Sequence, residues 1–207
     1  MRIITVSRQF GSGGRELGKR LSDRLGWDYY DREIIERLAE EQGMDAEYIR
    51  HVLGNHEWHN VHLTYGSSFS GVMFDPGCRT ELLVKQRKIV EDIAAAGNDC
   101  VIVGRDADII LRDSNPFRLF VCAEMESRIA RCMKHEEKKP EGERLTEREI
   151  EKNIKRIDKN RSRVREMLTG KIWGDGSSFD MTVNASGRDI KALSGLVADF
   201  ALGWFGE

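Results

Sequence analysis

Gly11-Ser12-Gly13-Gly14 stands between an apolar run at residues 3–7 and a helical pattern at residues 15–25, and this order constrains the chain more than any other feature. Ile3-Ile4-Thr5-Val6-Ser7 is apolar without strict alternation, as a strand covered on both faces should be. Leu17, Leu21 and Leu25 repeat at helical spacing, and Gly26 is a helix stop. Glycines between such a strand and such a helix let backbone N–H groups converge without Cβ obstruction. The helix N-terminus adds unpaired donors and positive partial charge. The expectation is a turn that binds phosphate.

The strand-then-helix pattern recurs. Short strands are expected at residues 27–30, 100–103, 117–122 and 179–184. Asp31 can cap a helix carrying Ile34, Ile35 and Leu38 that stops at Gly43, and Thr80 can cap one with Leu83, Ile89, Val90 and Ile93. A further helix is expected over residues 124–139, with Ile129 and Met133 inward. Thr146-Glu147-Arg148-Glu149 is a capping box. It opens a helix with Ile150, Ile154 and Ile157 on one side and Lys152, Lys155, Arg156, Lys159, Arg161, Arg163 and Arg165 on the outer face. A last helix follows Asp189, with Leu193, Leu196, Val197 and Phe200 as its apolar face. Such alternation predicts an α/β fold: a parallel sheet covered by helices on both sides, with ligands beyond the carboxyl ends of the strands.

At 207 residues the chain suits one domain with an ample core. Its 40% apolar and 33% charged residues, with 20 Gly and 3 Pro, exclude a disordered, collagen-like or disulfide-stapled chain. No apolar run approaches the roughly 18 residues that span a bilayer, and the start has no leader pattern, so a cytoplasmic protein without membrane contact is expected. A net charge of −2 gives no global attraction to nucleic acid, so anion binding must be local. Cys78, Cys100, Cys122 and Cys132 form no CxxC pair and read as reduced, structural thiols. His56, His59 and His62 could share a helix face and hold a metal, but no cysteine is near, and a solvated or substrate-side loop is the plainer reading.

The kind of phosphate loop is left open by spacing. GxGxxG fits Gly11 and Gly13 but meets Glu16 where its third glycine belongs, although Asp31 lies where a ribose-binding acid would sit. In GxxxxGK[ST], Gly13 can serve as the second glycine. Gly14 then takes the lysine position and Arg15 the Ser/Thr position. In a loop one residue longer, Arg15 replaces the lysine, holding phosphate by its guanidinium, and Glu16 could ligate Mg²⁺.

Three further elements accompany the loop: Tyr30-Asp31-Arg32-Glu33-Ile34-Ile35-Glu36-Arg37, Val103-Gly104-Arg105-Asp106, and an Arg-rich helix pair between Arg128 and Arg165. In this order, after Gly11-Ser12-Gly13-Gly14-Arg15-Glu16, they resemble bacterial cytidylate kinase and, more closely, the cytidylate kinase-like family of P-loop proteins. The resemblance implies a three-layer P-loop kinase fold with a five-stranded parallel sheet. The core would take residues 1–44, 80–133 and 172–207, with a helical insert for the nucleoside monophosphate (NMP) at about 45–79 and an Arg-rich lid at about 134–171. It further implies ATP-dependent phosphoryl transfer to a nucleoside monophosphate, with CMP or dCMP the default acceptor and Mg²⁺ the metal.

By the same resemblance, Gly11, Ser12, Gly13, Gly14, Arg15, Glu16, Arg128 and Arg131 face ATP and its phosphates. Asp31, Arg37, Arg105, Asp106, Asp158 and Arg161 face the acceptor. Arg15, Asp106, Arg156 and Arg161 carry the catalysis, with Glu16 and Asp106 as candidate metal ligands. The chain departs from the pattern: it lacks the loop lysine, has Arg32-Glu33 where Ser-Gly is expected, and has Ala107-Asp108 after the Gly-Arg-Asp element. Four alternatives therefore stand beside the kinase: a nucleotide-binding protein with weak or lost catalysis, a kinase for another small acceptor, a dinucleotide oxidoreductase and a nucleic-acid binder.

Overall fold

The computed structural model describes residues 1–46, 49, 53 and 76–206, with backbone alone at 76–79. Five strands form one sheet: β1 (Ile3–Arg8), β2 (Asp28–Tyr30), β3 (Cys100–Val103), β4 (Phe117–Cys122) and β5 (Met181–Asn184). Their order is β2-β3-β1-β4-β5, and every pairing is parallel. The helices described are α1 (Gly14–Leu25), α2 (Glu33–Gln42), α3 (Pro76–Ala95), α4 (Ala107–Ile110), α5 (Met125–Glu136), α6 (Glu147–Thr169) and α7 (Ile190–Phe205).

Alternation along the strands builds two cores, one on each face of the sheet. Ile3, Cys100 and Ile102 join Ile34, Leu38, Ile89 and Val90 from α2 and α3 on one side. Ile4, Val6, Val101, Val103, Leu119 and Val121 join Leu17 and Leu21 of α1 and Val197 and Ala201 of α7 on the other. The result is three layers. Residues such as Ile4, Ile102 and Phe117 are fully buried, each favouring the fold by about 1.5–3 kcal/mol. A third, smaller cluster of Cys132, Ile150 and Ile154 joins α5 to α6.

Several local expectations are met. Thr146 and Glu149 form the reciprocal capping box, Asp189 accepts from the Lys191 amide at 3.0 Å, and Gly26 and Gly43 end α1 and α2 in the left-handed conformation. Others need correction. Asp31 does not cap α2, whose N-cap is Arg32. Thr80 lies inside α3, which begins at Pro76. The basic face of α6 is not wholly outward, because Arg165 is buried against Asp108 and Arg161 is turned onto the end of β1. Leu196 and Phe200 are exposed on α7, which buries the smaller Ser194, Ala198 and Ala201 instead. Ile190 and Val197 are buried with them, and Phe200, though exposed, rests its ring 5.8 Å from that of Phe117.

Cys100, Cys122 and Cys132 are free thiols. His56, His59, His62 and most of the expected insert lie outside the described residues. Among the described residues, no helix is long and apolar enough to cross a membrane, and no group of three or more His, Cys, Asp or Glu could hold a metal ion.

Candidate functional site

The phosphate turn is built by two left-handed glycines. Gly11 (φ 75°) and Gly13 (φ 88°) adopt a conformation in which L side chains are strained. A Cβ at Gly13 would come within 2.6 Å of Ile190 Cδ1, and one at Gly11 within 3.0 Å of the Arg128 carbonyl oxygen. No side chain caps the first turn of α1, whose N-cap is Gly13 itself, so its leading N–H groups are open to an anion. Ser12 is fully buried, and both its hydroxyl (2.9 Å) and its amide (3.4 Å) donate to the Gln9 carbonyl, which fixes the turn from within.

The turn is clamped from outside the sheet. The Phe10 amide donates to Asp158 Oδ1 at 2.9 Å, and the Phe10 carbonyl accepts from Arg128 Nε at 2.7 Å. Arg128 and Asp158 also pair with each other, both nearly buried. Arg161 Nη1 donates to the Arg8 carbonyl at 2.9 Å. Side chains of α5 and α6 thus hold both main-chain groups of the residue before Gly11. Beside them, Arg131 donates to the Ala185 carbonyl, while its Nη1 is buried without a hydrogen bond and its Nε would lie 3.6 Å from a Cβ at Gly13.

Next to the turn is a narrow cleft of about 50 Å³ over the carboxyl ends of β1 and β3. Its polar lining comes from Ser7, Arg8, Arg105, Asp106, Asn160 and Arg161; Leu53, Leu83, Val164 and Trp173 give it apolar walls. Arg105 and Asp106 both take positive φ (60° and 51°), rare for residues with side chains, and this sharp turn after Gly104 brings them to the cleft. Asp106 is pushed up to about 6, first by burial and then by the neighbouring Asp108 carboxylate, against the pull of Arg165, Arg105 and Arg8. Burial, reinforced by Arg8, brings Arg161 down to about 9. It still carries its charge at neutral pH.

Asp31, at the end of β2, is the anion of this basic cluster. Arg15 Nε donates to its Oδ2, and Arg8 Nη2 lies 3.7 Å from Oδ1, which is buried and has no hydrogen bond. Burial alone would raise this carboxyl. The guanidiniums of Arg8, Arg15 and Arg105 outweigh burial and hold it below the usual carboxylate range.

The expected site residues therefore divide. Gly11, Gly13, Gly14, Arg15, Arg128, Arg131 and Asp158 gather at the turn, and Asp31, Arg105, Asp106 and Arg161 gather at or beside the cleft. Glu16 is half exposed and paired with Arg20 at 2.8 Å. Arg37 pairs with Glu41 and Asp92, and Arg156 contacts Asn153. Neither arginine is among the described residues that line the cleft.

Arg8 was missed by the sequence reading, although a signal for it exists. Counting back from Gly13 as the second glycine of GxxxxGK places the first at position 8, where this chain has arginine. A shallow polar groove of Glu124, Ser127, Asn184, Ser186, Gly187 and Arg188 was also missed. Arg131 links it to the turn through the Ala185 carbonyl.

A family model described as the cytidylate kinase-like family matches residues 3–187. No curated protein sequence matches the chain. Among solved structures, an uncharacterized protein from Eubacterium ventriosum is similar over 97% of this chain and 98% of its own, at 20% identity and a TM-score of 0.70. Shikimate kinase from Acinetobacter baumannii aligns over 100% of this chain and 96% of its own, at 10% identity and a TM-score of 0.56. Shikimate kinase from Aquifex aeolicus aligns over 98% and 96%, at 16% identity and a TM-score of 0.53. These likenesses establish a P-loop kinase-type fold.

Proposed function

The chain belongs to the cytidylate kinase-like family, and from that premise we propose that it catalyses ATP-dependent phosphoryl transfer to a nucleoside monophosphate, with CMP or dCMP the default acceptor. The observation that carries this reading is the adjacency of an uncapped, glycine-built helix start to a cleft lined by Arg8, Arg105 and Arg161. An anionic donor and an anionic acceptor can then meet over the ends of β1 and β3. Phosphoryl transfer needs positioning and well-placed charge more than covalent help from the protein.

In this reading the N–H groups at the start of α1, with Arg15 and the unsatisfied Nη1 of Arg131, bind the ATP phosphates. The groove around Asn184 and Ser186 takes the nucleoside end. Arg105 and Arg161 bind the acceptor's anionic group. The acceptor oxygen bonds to the γ-phosphorus as the bond from that phosphorus to the β,γ-bridging oxygen breaks, and the electron pair leaves on ADP. When the acceptor is a hydroxyl, its proton passes to Asp106. The segment at about 134–171, built on α6, forms the lid, and closing it excludes water from the transferred group.

Mg²⁺ supplies further charge neutralisation when bound with ATP. The loop has no Ser or Thr ligand where the mononucleotide pattern expects one. A hard cation that keeps several waters, however, needs only one or two carboxylates besides the phosphates. Asp106, a carboxylate on the cleft, fits that need better than Glu16, which is paired with Arg20.

A second reading, transfer to another small hydroxylated acceptor, is favoured by Asp31 Oδ1, which is buried beside Arg8 without a hydrogen bond. ADP release from Mg²⁺-ATP, followed across CMP, dCMP, UMP, AMP, GMP and small hydroxy acids, tests both. Stimulation by CMP and dCMP supports the first reading, and stimulation by a hydroxy acid alone supports the second. ATP binding with no turnover on any acceptor would mark a nucleotide-binding protein that has lost its catalysis.

A further inference from the structure

Arg8 has had space cleared for it at both ends. A Cβ at Gly14 would lie 2.5 Å from Arg8 Cβ and 3.0 Å from Arg8 Cγ, so the stem of Arg8 fills the room that a side chain at position 14 would need. A Cβ at Gly104 would lie 1.7 Å from Arg8 Nη1 and 2.9 Å from Cζ, so the guanidinium rests on the bare backbone of Gly104. Side chains at 8 and 14 therefore exclude each other as the chain now folds, and a side chain at 104 would displace the charged head.

In the mononucleotide pattern these loop positions carry the opposite choice: glycine at the strand end, corresponding to 8, and lysine at the helix end, corresponding to 14. This chain has exchanged them. The Arg8 side chain is 17% exposed, the residue lines the cleft, and the contact of its Nη2 with Asp31 is 3.7 Å, too long for a hydrogen bond. Its main-chain carbonyl is fixed by Arg161. A cation so desolvated and so placed, between the phosphate turn and the acceptor cleft, acts strongly on charge that develops there.

We propose that Arg8 supplies the positive charge that mononucleotide loops assign to lysine, its guanidinium binding the γ-phosphoryl oxygens from the strand end of the turn. The proposal rests on the phosphate-transfer reading above. It also divides the labour between Arg8 and Arg15. Arg15, held at the start of α1 by Asp31, faces the phosphates that stay on ADP, while Arg8 meets the group that moves.

The test needs no knowledge of the acceptor. The affinities of wild type, Arg8→Gln, Arg8→Lys and Arg15→Gln for ATP and for ADP are measured by calorimetry with Mg²⁺. Wild type should prefer ATP to ADP. Arg8→Gln should lose about tenfold or more of that preference while ADP affinity stays within about twofold, since only the γ-phosphate is released from contact. Arg8→Lys should keep part of it.

The double exchange Arg8→Gly/Gly14→Lys should recover preference that Arg8→Gly alone lacks, and it carries the test if Arg8→Gln does not fold. Wild type that binds neither nucleotide would overturn the phosphate-transfer reading itself. Wild type that binds both, with its preference unchanged in Arg8→Gln or lost in Arg15→Gln instead, would overturn the role of Arg8 and leave that reading standing. Equal affinity of wild type for ATP and ADP would do the same.

Discussion

The amide of Phe10 donates to Asp158 Oδ1 across 2.9 Å and 148 residues of sequence. A single carboxylate on α6 thereby fixes the entrance to the phosphate turn and neutralises Arg128, which is almost completely buried. Asp158→Ala should cost about 3–5 kcal/mol in denaturant unfolding, because it strands a buried guanidinium. Asp158→Asn retains an acceptor for the Phe10 amide. It should therefore weaken ATP binding less than Asp158→Ala does, a ranking that calorimetry at fixed Mg²⁺ would check.

Asp31 gives a stability prediction with a definite sign. Its carboxyl lies below the usual range in the folded protein because Arg8, Arg15 and Arg105 together outweigh its burial. A depressed carboxyl adds stability above its unfolded value of about 3.8 and loses it as pH falls through the folded value. The stability gap between wild type and Asp31→Asn should be full at pH 7 and shrink below about pH 4. Chemical denaturation at several pH values would show this, and a gap independent of pH would refute it.

Asp106 behaves oppositely. Raised to about 6 by burial and Asp108, it binds a proton in the folded state at pH values where the unfolded chain has released it. Folded stability should therefore decline as pH rises from about 4 to 6. If its carboxylate accepts a proton or orients the acceptor, kcat/KM for the acceptor should fall below about pH 6, and Asp106→Asn should remove that acidic limb while lowering the plateau.

Two left-handed glycines separate backbone strain from packing. Gly26 (φ 69°) has nothing within 4 Å of where a Cβ would stand, whereas Gly13 (φ 88°) would place one 2.6 Å from Ile190 Cδ1. Gly26→Ala should cost about 1–2 kcal/mol from backbone conformation alone and leave ADP binding intact. Gly13→Ala should cost more and weaken ADP binding at least tenfold, since it distorts the turn that cradles the phosphate.

Arg105→Ala should raise the acceptor KM with ATP affinity little changed, because Arg105 lines the cleft on the side of β3. Steady-state kinetics with each substrate varied in turn would check the split, and the reverse pattern would remove Arg105 from the acceptor side.

Much of the fold was legible because it is written in short-range patterns. The uninterrupted apolar runs of β1 and β3, the Thr146–Glu149 capping box and the glycine turn are each encoded within a few residues. What was not legible depends on partners far apart in sequence. Arg165 reads as a surface base until the fold brings it to Asp108, 57 residues away. Asp31 reads as a helix cap because its true partner, Arg15, belongs to another element. Leu196 and Phe200 follow an apolar stripe, yet the face of α7 that the fold buries is the one carrying Ile190, Ser194, Val197, Ala198 and Ala201. Arg8 was hidden by its position inside a strand. Its meaning depends on the absence of side chains at Gly14 and Gly104, and no local window contains all three.

The most direct test of the account is a crystal structure of the full chain grown with Mg²⁺ and ADP. The account predicts the β-phosphate seated at the start of α1, within hydrogen-bond distance of the amides of residues 13–16 and of Arg131, with Gly11 and Gly13 still left-handed. ADP bound elsewhere, or a turn at residues 11–15 collapsed against the sheet with no phosphate in it, would contradict it.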